Sequence, residues 1–156
     1  MNASKLSLAL AFIAAAAVMG ARAQQAPKPE QVIKWRQSTF QVLAWNTARV
    51  KASLEGGGDR QQATKAAAAI AAIANAGLLP LFAAGTDTGK GWHDTTVKPE
   101  FFKDTDKVAA LNADFTKEAN ELARVAAAGD AAALKEQFGK LGKTCKSCHD
   151  EFRNTN

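Results

Sequence analysis

The chain has 156 residues, a formal net charge of +5, 47% hydrophobic and 22% charged residues. That length suits one domain with its own core. No run of lysine or arginine exceeds two, so the positive balance does not argue for nucleic acid.

The first stretch reads as a targeting segment. Lys5 supplies a basic start, Leu6 to Val18 form an apolar run without a charge, and Ala21-Arg22-Ala23 fits the small-x-small pattern of signal peptidase. Cleavage is expected before Gln24, leaving residues 24–156 as one exported, periplasmic domain. The run is too short for a stable bilayer anchor, which takes ~20 residues, so no membrane insertion is expected. Lys5 and Arg22 leave with the segment, lowering the charge from +5 to +3. Met1 and Met19, the two methionines of the sequence, leave as well, and His93 and His149 are its two histidines.

Four segments then show helical period and helical boundaries, and no credible strand is found. The first runs from about Pro29, a residue suited to a first helical position, to Leu54. Arg36, Phe40, Leu43, Thr47, Val50 and Leu54 recur at alternating spacings of four and three, and Gly56-Gly57-Gly58 ends the pattern. The second starts at the N-cap candidate Asp59 and runs through alanines, Ile70 and Ile73 to Gly77. A long irregular stretch follows, to about Lys103. The third helix starts near Asp104, carries Val108, Leu111, Phe115, Leu122 and Val125 on its inner face, and closes at Gly129. Asp130 caps the fourth, whose inner face reads Leu134, Phe138, Leu141, Cys145, Cys148 and Phe152. Four amphipathic helices of about 18 residues or more predict an all-α, antiparallel four-helix bundle with left-handed packing. The alanine runs suit close helix contacts and leave room for a bulky cofactor.

Cys145-Lys146-Ser147-Cys148-His149 has the C-x-x-C-H spacing of covalent haem attachment. Cysteines at i and i+3 share a helix face, so each thiol can add across one haem vinyl group to give a thioether. His149 is then placed to ligate iron. A disulfide between Cys145 and Cys148 would close a very short loop of little value. A thiol oxidoreductase carries its C-x-x-C at a helix N-terminus, whereas this pair sits near a helix C-terminus. A zinc site would need His93 as a further ligand, with Cys148 and the adjacent His149 on one ion. One haem c is therefore the expected cofactor.

A four-helix chain with this motif on its last helix resembles the class II cytochromes c, and the cytochrome c′ family in particular. The resemblance spans the mature chain and is strongest at Lys34-Trp35-Arg36-Gln37-Ser38, at Leu79-Pro80 and at Cys145 to Arg153. It implies that Arg36 pairs with a haem propionate, that Gln37 lies beside it, and that Phe40 covers the distal haem face with Leu43 one turn further along. Thr86 and Asp87 would be haem contacts from the loop, and Arg153 would lie close to the proximal histidine. Arg36 has independent support: it falls on the core stripe, where an unpaired guanidinium would be costly and a propionate would relieve it.

Low-spin members of this class take a methionine from the first helix as sixth iron ligand, whereas high-spin members leave that position open and bind small gases. With no methionine in the mature chain the first arrangement is excluded, and His93 reads as a surface loop residue. An apolar distal face of Phe40 and Leu43 offers nothing to stabilise bound oxygen or to cleave a peroxide. Nitric oxide needs no such help, so the expected ligands are nitric oxide and, more weakly, carbon monoxide. No enzymatic role is expected, for the pocket lacks acid-base groups. An electron-transfer cytochrome, with no partner identified, is the alternative. Trp35, Val42 and Trp45 lie nearly opposite the Arg36-Phe40-Leu43 stripe, which predicts a homodimer through the first helix.

Overall fold

Each expected helix forms, with boundaries close to those read from its sequence. The computed structural model describes residues 26–154, and the targeting segment lies outside them. Helix α1, Pro29–Leu54, opens on a proline whose missing N–H is not needed in a first turn. Helix α2, Arg60–Ala76, is capped by the Asp59 carboxylate, which accepts from the Gln61 N–H, and its 17 residues make it slightly shorter than expected. Helix α3, Thr105–Ala128, is capped by Asp104 and ends on Gly129, whose φ of 85° is the left-handed conformation glycine adopts freely. Helix α4, Ala131–Phe152, starts at Asp130, whose carboxylate accepts from the N–H groups of Ala132 and Ala133. Between α2 and α3 lie two 3-10 turns, Leu79–Leu81 and Pro99–Phe102. No strand forms among the described residues, only the isolated bridges Lys90–Asp94 and Val97–Arg153.

Burial of the inner stripes joins the helices into an antiparallel bundle. Val50, Ile70, Leu122 and Leu141 are fully buried in one main cluster, each contributing about 1.5–3 kcal/mol relative to exposure. On α2 the buried residues include Ala63, Ala66, Ala67, Ala71 and Ala74, small enough to let its backbone approach α1 and α3. Consecutive helices pack along their lengths, but α1 and α4 touch only sparsely. The bundle is therefore open on one side. Inward-facing Phe40, Leu111, Phe115, Phe138, Cys145 and Cys148 are accordingly only half-covered, while Val108, Leu122, Leu134 and Leu141 are buried.

The 77–104 segment covers the end of the bundle where α1 begins and α4 finishes. The Lys98 N–H donates to the Phe152 carbonyl at 2.9 Å, and the Asn154 N–H donates to the Thr96 carbonyl at 2.8 Å. On the other side the segment rests on α1 at Gly91. A Cβ there would lie 2.8 Å from Ile33 Cγ2 and 2.9 Å from the Lys34 nitrogen, so the close approach requires glycine.

Candidate haem-binding site

The attachment motif occupies the last two turns of α4. Cys145 and Cys148 are both half-buried and unbridged, and Cys148 packs against a second apolar cluster of Phe101, Val108 and Phe152. Burial pushes both thiols up in pKa, and Cys145 raises Cys148 further. These are protonated thiols near the negative end of a helix, the opposite of the stabilised thiolates of an oxidoreductase. Nor do the described residues bring together three or more histidine, cysteine or acidic side chains as a metal site would need. His149 follows, exposed, with its pKa lowered first by desolvation and then by the Arg153 cation, against an opposing pull from Asp150. That shift favours the neutral imidazole, the form that ligates metal. Arg153 is the C-cap residue of α4, and its cation acts on this histidine.

Across the opening, α1 presents Arg36, Phe40 and Leu43 inward. Leu43 is buried in the main cluster, and Phe40 is half-buried at its edge. Arg36 is only 4% exposed, and its partners come from the long segment. Nη1 donates to the Leu81 carbonyl (3.2 Å) and the Thr86 hydroxyl (2.9 Å), while Nη2 donates to the Thr86 carbonyl and to Thr95 Oγ1, both at 2.8 Å. The unpaired burial that pointed to a propionate is thus already relieved by the protein. Nε takes no part in these bonds, which leaves the fifth guanidinium donor for a further acceptor.

Gln37 also serves the segment. Its Oε1 accepts from the Trp92 N–H at 2.7 Å, and its Nε2 donates to the His93 carbonyl at 2.9 Å. Thr86 is buried, and its hydroxyl donates to the Ala83 carbonyl while accepting from Arg36, so its side chain is committed to the loop. Asp87 follows, half-buried. His93 is exposed, with Nδ1 lying 2.8 Å from the Asp94 carbonyl and 3.3 Å from Gln37 Nε2. Trp35, Val42 and Trp45 are 46%, 45% and 61% exposed, so the long segment does not cover them.

Sequence reasoning missed the aromatic wall of the site. Phe40 and Phe82 meet in a T-shaped pair at 6.1 Å, Phe82 stacks on Phe101 at 4.2 Å, and Phe101 meets Phe152 at 5.4 Å. The available signal was Phe82, Phe101 and Phe102, three phenylalanines in an otherwise irregular stretch, where a solvated loop would carry none.

The model of the family described as Cytochrome C′ matches residues 31–153. This chain belongs to the cytochrome c′ family. Cytochrome c′ from Rhodocyclus tenuis is 61% identical over 127 residues, covering 81% of this chain and 96% of the relative. Among solved structures, a cytochrome c′ with ligand-controlled dimer dissociation superimposes with a TM-score of 0.79 at 43% identity, covering 83% of this chain and 99% of that one. A ferrous variant of cytochrome c′ from Alcaligenes xylosoxidans with bound nitric oxide gives a TM-score of 0.73 at 26% identity, covering 85% and 100% of the two chains. The protein is accordingly a c-type cytochrome that carries covalent haem c. Its own residues fit that group: two half-buried thiols on one helix face, a histidine whose neutral form is favoured next to them, and half-covered Phe40, Phe115 and Phe138 where α1 and α4 stand apart.

Proposed function

We propose that this cytochrome c′ is an exported, periplasmic gas-binding protein whose ligand is nitric oxide, with carbon monoxide as a weaker one, and that it is not an enzyme. Cys145 and Cys148 each add their S–H across one vinyl double bond, sulfur to one carbon and hydrogen to the other, so attachment is redox-neutral. His149 is the proximal ligand, and Arg153 favours its neutral form. Phe40 and Leu43 cover the distal side. Arg36 offers Nε to a propionate, while Thr86 acts through Arg36 and Gln37 through the loop. Asp87 lines the loop side. Haem held by these residues would supply an iron, five-coordinate and high-spin in this reading, with one position for a diatomic ligand.

The observation that carries this reading is the apolar setting of the residues proposed for the distal face. Its inward residues are Phe40 and Leu43, and the nearby Arg36 gives four hydrogen bonds to loop oxygens. No methionine follows Met19, and His93 is tied to Gln37 on the exposed outer side of the loop. The nitric oxide complex of the Alcaligenes relative is in keeping with it. Homodimerisation through Trp35, Val42 and Trp45 is supported by their exposure and by the dimeric state of the 43%-identical neighbour.

The test is the optical spectrum of the purified ferric and ferrous protein with and without nitric oxide and carbon monoxide. High-spin bands that shift with either gas are expected. A low-spin spectrum indifferent to carbon monoxide would transfer the assignment to electron transfer.

A further inference from the structure

We infer that Phe82 is a positioning residue for gas binding: it braces the distal lid Phe40 and sets how readily that ring yields to an incoming ligand. The inference rests on the reading of Phe40 as the lid. Phe82 directly follows the Leu79–Leu81 turn, where its N–H donates to the Leu79 carbonyl at 2.9 Å. Its ring is held on several sides. Phe101 stacks against it with centroids 4.2 Å apart and planes 20° apart, and the Arg36 guanidinium lies 4.8 Å from its centre. Arg36 also grips the carbonyl of Leu81, the residue immediately before Phe82. Phe101 is backed in turn by Phe152, near the end of α4.

Against this braced ring stands Phe40, with centroids 6.1 Å apart and planes inclined at 74°. A phenylalanine on a helix has few side-chain rotamers, so a lid there moves by swinging between wells and not by small adjustments. With Phe82 fixed on one side, one set of swings is blocked, and a ligand must displace Phe40 against the brace. The clamp of Arg36 on the loop thereby reaches the lid through its contact with the Phe82 ring and the Phe82–Phe40 pair.

The test is the carbon monoxide association rate of the ferrous holoprotein, measured by stopped flow, for wild type, Phe40→Ala, Phe82→Leu and the double variant. The lid reading expects Phe40→Ala to bind faster, and an unchanged rate defeats that reading by itself. The brace expects Phe82→Leu to speed association about two- to tenfold, the equivalent of one aromatic contact. It also expects no further gain in the Phe40→Ala background. A faster Phe40→Ala with an unchanged Phe82→Leu overturns the brace and leaves the lid. An equal gain from Phe82→Leu in both backgrounds overturns it too, because general loosening of the pocket would then be the cause. A crystal structure of Phe82→Leu gives a second readout, in which Phe40 is expected in a new or mixed rotamer; an unmoved Phe40 counts against the brace. Should Phe82→Leu fail to take up haem, Phe101→Leu removes the stack behind an intact Phe82, and an unchanged rate there overturns the inference.

Discussion

Arg36 shows how one buried charge can organise a site. Its planar fork meets two carbonyls and two hydroxyls of a segment that lies 45 to 59 residues further along the chain. Lysine, a point charge on a flexible stem, cannot reproduce that geometry. Replacing Arg36 with leucine would remove four hydrogen bonds and leave the Leu81 and Thr86 carbonyls without their strongest donor, so a loss of about 2–4 kcal/mol is expected in urea unfolding of the holoprotein. Arg36→Lys should recover less than half of it. A loss below about 0.5 kcal/mol for Arg36→Leu would mean that the loop holds itself in place without the clamp.

At the scale of elements, the sharp joint between α3 and α4 depends on two adjacent residues. Gly129 supplies the left-handed turn, and Asp130 satisfies two of the free N–H groups that open α4. Asp130→Ala should destabilise the protein by about 1 kcal/mol, read as a lower urea midpoint at unchanged slope. The contact of the long segment with α1 has a different weak point. Alanine at Gly91 would press on Ile33 and the α1 backbone, at an expected cost of about 1–3 kcal/mol. Limited proteolysis should then cut within residues 77–104 sooner than in wild type. Equal cutting rates would show that the segment is anchored by its other contacts alone.

For the whole molecule, the proposed dimer turns on the outer face of α1. Trp35, Val42 and Trp45 form an exposed apolar strip on the side away from the haem slot, and the Arg49 guanidinium lies 4.6 Å from the Trp45 ring centre. A charge placed in the strip would have to be desolvated on association. Trp45→Glu is therefore expected to sediment as a monomer at concentrations where wild type is dimeric, with the haem spectrum retained. A dimer that survives this change would move the interface to another face. The ion pairs across the surface, such as Lys107 with Glu151 at 2.7 Å, join exposed side chains and contribute less than about 1 kcal/mol each.

The helices, their caps and the attachment motif were legible in the sequence because each depends on residues within about one turn of each other. Asp59, Asp104 and Asp130 cap the helices they precede, and Cys145, Cys148 and His149 share one short stretch of α4. The four-three spacing also marked Arg36 as buried, and that is how it lies. What it could not name was the partner, since Thr86 is 50 positions away and joins Arg36 only once the loop has folded back. Likewise, periodicity placed Phe115, Phe138 and the cysteines on inner faces but could not show that the separation of α1 from α4 leaves them half-covered. The aromatic wall of Phe82 and Phe101 lay in a stretch with no period to read. Local spacing determined which faces point inward; the tertiary structure alone decided which of them meet, because contacts between distant segments depend on how the whole chain closes.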